Sequence, residues 1–129
     1  MTRSKNIILL YCPDREQLSA MSFALRLHPY GVVDVDDIND AVRLSTREDI
    51  VCGVIVHART GDLAGRLVHR ILEAASHMPL LLVDRAGDLA PVRYADMVLY
   101  GRNTTMDHIL ASLKVLCRQK PDARTRRVQ

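Results

Sequence analysis

The sequence contains few cysteines and no long apolar run, and both shortages narrow the class of protein. Cys12, Cys52 and Cys117 are odd in number and widely spaced, so neither a zinc motif nor a disulfide framework is predicted. No apolar stretch approaches the roughly 20 residues that a membrane-spanning helix needs. The apolar run of residues 7–12 is too short for the core of a signal peptide. We therefore expect a cytoplasmic protein with reduced thiols and no membrane partner.

Glycine-rich phosphate-binding motifs are also missing. Neither GxGxxG nor GxxxxGK[ST] occurs, and this absence argues against nucleotide binding. The sequence therefore predicts no cofactor.

Positive charge is concentrated at one end of the chain. The whole chain has a net charge of +3. Residues 118–129 contain five Lys or Arg and one Asp, a net charge of +4, so residues 1–117 have a net charge of −1. We interpret residues 1–117 as the folded domain and residues 118–129 as a basic tail. Such a tail could contact nucleic-acid phosphates, but it has no aromatic residue on which a base could stack. Nucleic-acid contact through the tail is therefore kept only as an alternative function.

Five short apolar runs alternate with amphipathic stretches, which predicts strands alternating with helices. Asp14 is predicted to cap the first helix, which ends before His28 and Pro29. The second helix is predicted to run through Arg47, and the last to span residues 104–117. The predicted strands are residues 6–11, 31–35, 50–56, 79–83 and 96–100. The predicted inward-facing helix residues are Leu18, Met21, Ala24 and Leu25, then Leu63, Leu67, Ile71 and Leu72, and finally Met106, Ile109, Leu110, Leu113 and Leu116.

Parallel strands need long crossovers, so this alternation predicts a doubly wound α/β domain with a five-stranded parallel sheet. The fourth crossover is short. Residues 85–95 include Pro91 and leave room for at most a shortened fourth helix.

The order of these elements and several local phrases resemble the receiver domain of bacterial response regulators over residues 5–117. KNIILLYCPDREQLSAMSFAL is similar to that family's first strand and helix, and EDIVCGVIV to its entry into the third strand. HMPLLLV resembles the proline-led fourth strand, and YADMVLYGRN the fifth strand and its exit loop. The resemblance implies a flavodoxin-like (βα)₅ fold and a role in two-component phosphorelay signalling.

The chemistry that the resemblance implies depends on five positions, and this sequence departs at each. In the family, an acidic pair binds Mg²⁺, an aspartate accepts the phosphoryl group, and a hydroxyl and a lysine contact the phosphoryl oxygens. The matching positions here are Tyr11 and Cys12 for the acidic pair, His57 (or Val56 if the register shifts by one) for the acceptor, Asp84 for the hydroxyl and Gly101 for the lysine. The departures predict a pseudo-receiver that is not phosphorylated on aspartate.

Four polar residues, Asp14, His57, Asp84 and Arg102, follow predicted strand ends and are candidates for a polar pocket. The carboxyl ends of parallel strands meet at one edge of the sheet, where α/β folds bind ligands. Two carboxylates and an imidazole could also bind a metal ion. We favour the interpretation without a metal, in which hydrogen bonds or a pair between His57 and Asp84 join the pocket.

Cys12 and His57 are also candidates for a phosphate-handling carrier or enzyme. Cys12 follows the first strand, where some α/β phosphatases and sugar-phosphotransferase components have a nucleophilic cysteine. Here the cysteine is followed by PDREQLS, which contains no glycine and has two carboxylates that would repel a phosphate. No companion acid or phosphate-binding loop is evident for His57. We therefore favour a non-enzymatic module that contacts signalling proteins, such as a histidine kinase or another regulator, and leave homodimerisation open.

Overall fold

The computed structural model describes residues 6–58, 61–74, 78–87, 95–101 and 104–128, with residues 118–128 as backbone only. The strands are β1 (Asn6–Tyr11), β2 (Tyr30–Val35), β3 (Ile50–His57), β4 (Leu80–Asp84) and β5 (Met97–Leu99). The helices are α1 (Arg15–Arg26), α2 (Ile38–Leu44), α3 (Leu63–Ala74) and α4 (Met106–Val128).

The five strands form one parallel sheet in the order β2-β1-β3-β4-β5. This order is that of the flavodoxin-like doubly wound fold. The central strands β3 and β4 are almost continuously apolar because both faces of the sheet are covered there. The predicted fold class is confirmed.

Two apolar cores lie on opposite faces of the sheet. On the α1/α4 face, alternate strand residues such as Leu10 and Val54 pack with Leu25 and Leu113 of the helices. On the α2/α3 face, the intervening strand residues pack with helix residues such as Leu67. The alternation follows from the period of two along a strand.

Helix α1 begins where the sequence predicts. The Asp14 side chain accepts hydrogen bonds from the backbone N–H groups of Glu16 and Gln17, at 3.0 and 3.3 Å. These N–H groups have no partner within the helix, so the carboxylate stabilises the first turn. The prediction of Asp14 as a helix cap is confirmed.

Helix α2 ends at Leu44, earlier than the predicted end at Arg47. The hydroxyls of Ser45 and Thr46 donate to the carbonyl oxygens of Val42 and Arg43, at 2.6 and 2.9 Å. These bonds use acceptors that another turn of helix would need, so the side chains compete with the helix.

Helix α4 extends past its predicted end at Cys117 and continues to Val128. The segment beyond Cys117 contains Pro121. Proline removes one backbone donor and clashes with the preceding turn, but Arg, Lys, Gln and Ala around it are strong helix formers. The backbone of the basic tail therefore continues the last helix.

The crossover from β4 to β5 is the shortest of the four. Most of the predicted shortened helix falls on residues 88–94, which lie outside the described residues. Across the described part of the chain, no helix is both long enough and apolar enough to cross a membrane.

Candidate functional site

His57 and Asp84 lie opposite each other at the carboxyl ends of the two central strands. They are register partners in the β3–β4 ladder, and each is only 3% exposed. The predicted strands end one residue earlier, so both residues belong to the sheet and not to the loops that follow. Ile55 and Leu82 lie two residues earlier in the same strands and pack in the core of the α2/α3 face. Because side chains two residues apart in a strand point to the same face, His57 and Asp84 also lie on the α2/α3 face. The structure thus brings together the two residues of the predicted pair.

Asp84 organises the turn that follows β4. Its Oδ1 accepts a hydrogen bond from the backbone N–H of Gly87 at 2.7 Å. The N–H of Ala86 donates to the carbonyl oxygen of His57 at 2.8 Å, which ties this turn to the end of β3. Gly87 has a φ of +82°, a conformation that favours glycine. The Asp84 carboxylate is therefore part of a hydrogen-bonded turn that follows β4 and is bonded to the end of β3.

Ala86 and Gly87 were placed in the fourth crossover, but their hydrogen bonds were not predicted from the sequence. The available signal was the spacing of Asp84 and Gly87, since aspartate often bonds to the backbone of a turn that contains glycine. The contact between Ala86 and His57 joins residues far apart in sequence. It depends on the pairing of β3 with β4, which no local pattern shows.

Tyr11 and Cys12, which match the acidic pair, lie on different faces of the sheet. Tyr11 belongs to the core of the α2/α3 face and is 2% exposed, whereas Cys12 belongs to the α1/α4 core and is fully buried. A hydrogen bond also fixes the backbone of Cys12, whose N–H donates to the carbonyl oxygen of Val35 at 3.2 Å. Of the two, only Tyr11 shares a face with His57 and Asp84.

The remaining candidates are not brought into this pair by any described contact. Asp14 bonds within the first turn of α1, where the Gln17 side-chain amide also donates to it at 3.4 Å. Gly101 has a φ of +103°, and an added Cβ would meet no atom within 4 Å. It accepts a hydrogen bond from the Thr104 hydroxyl through its carbonyl oxygen. Arg102 lies outside the described residues.

The metal-binding alternative requires Asp14, His57 and Asp84 to surround one ion. Within the described ranges, no three His, Cys, Asp or Glu side chains are grouped closely enough to hold a metal. A site with two carboxylates and one imidazole is therefore not formed by these residues.

The three cysteines are buried and none is in a disulfide. Burial raises the pKa of the Cys117 thiol from 9.0 to about 11. The pKa of Cys52 is also raised, first by burial and then by the charges of Cys117 and Asp96. A thiol with a raised pKa is a poor nucleophile at neutral pH, because the thiolate is the reactive form.

Comparison with known proteins finds similarity in structure but not in sequence. No protein-family model matches the chain, and no curated protein is similar enough in sequence to match. A CheY-like response regulator receiver domain protein from Methanospirillum hungatei JF-1 has a TM-score of 0.79 at 14% identity, covering 93% of this chain and 99% of that one.

Two further solved structures show the same likeness. The signal receiver domain of an HD domain-containing protein from Pseudomonas fluorescens Pf-5 has a TM-score of 0.78 at 18% identity, covering 98% of this chain and 96% of that one. A structure described as adenylate cyclase from Rhodopirellula baltica has a TM-score of 0.78 at 12% identity, covering 95% of each chain. At such identities the likeness concerns the fold alone, and this chain has the fold of a response-regulator receiver domain.

Proposed function

We propose that this chain is a receiver-like signalling module of a bacterial, cytoplasmic two-component pathway, and that it acts through protein contacts without phosphorylation on aspartate. The main support for the proposal is the identity and burial of the residue at the end of β3. The position that the receiver resemblance assigns to the acceptor aspartate is occupied by His57, which is almost fully buried opposite Asp84.

The chemistry of the neighbouring positions supports the same proposal. Mg²⁺ prefers carboxylate oxygens, and the positions of the acidic pair hold a phenol and a thiol. The position of the hydroxyl holds Asp84, whose negative charge would repel a phosphoryl group. With one of its oxygens bonded to Gly87, this carboxylate also has a structural role in the native turn.

Burial argues against the alternative in which the chain carries or transfers phosphate through Cys12 or His57. A nucleophile must reach its donor, but Cys12 is 0% and His57 is 3% exposed. The two residues also lie on opposite faces of the sheet, so they do not form one joint site. We infer that the module has no enzymatic activity.

Protein contact is the mode of action that we favour, with a histidine kinase or another regulator as the partner. In a module of this kind, partner binding or protein level replaces phosphorylation as the signal. Candidate surfaces are α1, α4 and the loops that follow His57 and Leu99.

The test is intact-protein mass spectrometry after incubation with acetyl phosphate or phosphoramidate and Mg²⁺. The wild-type chain is compared with His57→Ala and Cys12→Ala, and a phosphorylatable receiver in the same mixture shows that the donor is active. We expect no phosphoryl adduct on the wild-type chain. An adduct that disappears in one of the two variants would overturn the proposal and identify the nucleophile.

A further inference from the structure

The only phenylalanine of the chain, Phe23, lies on the surface. Its exposure is 68%, and that of Leu27, which lies one turn later and directly follows the last residue of α1, is 70%. The core-facing side of the same helix is formed by Met21 and Leu25, which are 4% and 0% exposed. Helix α1 therefore has an apolar side that the core does not use.

Phe23 and Leu27 belong to a stripe along the outer side of α1. Glu16, Ala20, Phe23 and Leu27 are spaced by four, three and four residues, so they lie on one face of the helix. All four are exposed. This outer stripe places a small side chain and a large one next to each other at its centre. A spacing of three and four residues is that of helices that pack side by side.

We propose that the outer stripe of α1 is a self-association surface, on which a second copy of this chain packs its own α1 in the antiparallel direction. A two-fold axis midway between positions 20 and 23 places Phe23 against Ala20 of the partner subunit. By symmetry, Ala20 lies against Phe23 of the partner subunit. The large ring then fills the space above the small side chain on both sides of the axis. The contact is isologous, as in most homodimers.

Charge complementarity supports this occupant. In the same arrangement Glu16 lies opposite Leu27 of the partner subunit and next to Arg26 of the partner subunit. Among the described residues, Glu16 has no cationic partner. The Arg26 guanidinium donates to the Val32 carbonyl oxygen at 2.9 Å and lies 3.9 Å from the Asp34 carboxylate, and the Arg26 side chain is 55% exposed. The antiparallel contact thus places opposite charges together twice, once at each end of the stripe.

The size of the surface predicts a weak dimer. One helix from each copy buries well under the roughly 800 Å² per partner of a stable interface. We expect a dissociation constant on the order of 0.1 mM, in the range of transient contacts. This inference does not rest on the proposed function, because the stripe and the strand-end residues are on different parts of the molecule.

The experiment is sedimentation equilibrium of the full chain from 10 µM to 1 mM. Wild type is compared with Phe23→Glu and with the matched control Val115→Glu, a similar change at a 44% exposed residue of α4. We expect wild type to dimerise, Phe23→Glu to raise the dissociation constant by about tenfold or more, and the control to match wild type. Circular dichroism checks that each variant is folded. A wild-type chain that stays monomeric to 1 mM, or a Phe23→Glu variant that dimerises like wild type, would overturn the proposal.

Cysteine cross-linking tests the direction of packing separately. Glu16→Cys and Leu27→Cys are made as two chains and mixed under mild oxidation, with the buried native cysteines left in place. The antiparallel arrangement predicts that the mixed disulfide between the two variants forms faster than either symmetric one. Preferential linkage of Glu16→Cys to itself would indicate parallel packing and contradict the inference.

Discussion

The two faces of the sheet are both well packed, yet they contain different chemistry. The α1/α4 face contains all three cysteines. The α2/α3 face contains Tyr11 in its core and, at the ends of β3 and β4, the buried pair of His57 and Asp84. Tyr11, the last residue of β1, and Cys12, which follows it, therefore belong to different environments.

This difference shows why matching a sequence to a family position by position does not define a site. The five matched positions follow strand ends in the sequence, which suggested one pocket. Strand alternation separates Tyr11 from Cys12, because successive side chains point to opposite faces. We expect the two faces to contribute equally to the free energy of unfolding through packing and to differ in their polar and ionisable groups.

The largest expected effect concerns packing. Leu67→Ala on the α2/α3 face and Leu113→Ala on the α1/α4 face each remove a fully buried side chain. Each should lower the free energy of unfolding by about 2–5 kcal/mol, because of lost burial and the cavity left behind. Urea unfolding measures this change, with Val115→Ala as the exposed control. A large loss in only one of the two variants would show that the faces are not equally packed.

The next effect is specific to the α2/α3 face. Asp84→Ala removes the acceptor of the Gly87 N–H and should lower the free energy of unfolding by about 1–3 kcal/mol. Asp84→Asn retains a side-chain oxygen in the same place and should cost less. Urea unfolding of the two variants provides the comparison. Equal stability of Asp84→Ala and wild type would contradict the structural role of this carboxylate.

The α1/α4 face should respond to alkaline pH. Burial raises the pKa of Cys117 from 9.0 to about 11, so the unfolded chain loses this proton first as the pH rises. The free energy of unfolding should therefore be constant below pH 9 with respect to this group and fall between pH 9 and 11. The shift of about two pH units sets an upper limit of about 2.7 kcal/mol on the loss from Cys117.

Guanidinium unfolding at several pH values, compared with Cys117→Ala, isolates this contribution. The variant is needed because burial also raises the pKa values of Cys52 and Tyr30, so both groups contribute to the pH dependence in the same alkaline range. A variant with the same pH dependence as wild type would exclude Cys117 as the cause.

The smallest effect is expected from removing residues 118–129, the proposed basic tail beyond the domain. Among the side chains of α4 that the structure describes, the last buried ones are Leu116 and Cys117. We therefore expect the shortened chain to unfold within about 0.5 kcal/mol of the full chain. Thermal and urea unfolding test this. Salt-sensitive binding of duplex DNA by the full chain, lost on truncation, would instead favour nucleic-acid contact through the tail.

Several elements could be predicted from sequence because their causes are local. The bounds of β1 were predicted correctly, since a short apolar run stops at Pro13 and Asp14. The cap by Asp14 was predicted because only a few side chains can accept the first N–H groups of a helix. Strands β3 and β4 were predicted to within one residue, because burial on both faces makes them continuously apolar.

The errors have physical reasons as well. His57 and Asp84 were assigned to loops because polar residues usually end an apolar run. The ladder extends through both residues, which pair across it. The end of α4 was predicted too early, because the polar residues after Cys117 were interpreted as a tail, whereas Arg, Lys, Gln and Ala favour helix.

The sequence by itself determined the class of this protein, because hydrophobic periodicity and turn residues act over a few positions and specify an alternating α/β chain. It also determined that the acidic, nucleophilic and basic residues of the receiver resemblance are replaced. Only the tertiary structure decided which replacements meet. Strand register pairs His57 with Asp84, and side-chain alternation places Cys12 on the other face of the sheet. Packing of the core leaves Phe23 exposed. All three results depend on contacts between residues that are distant in sequence.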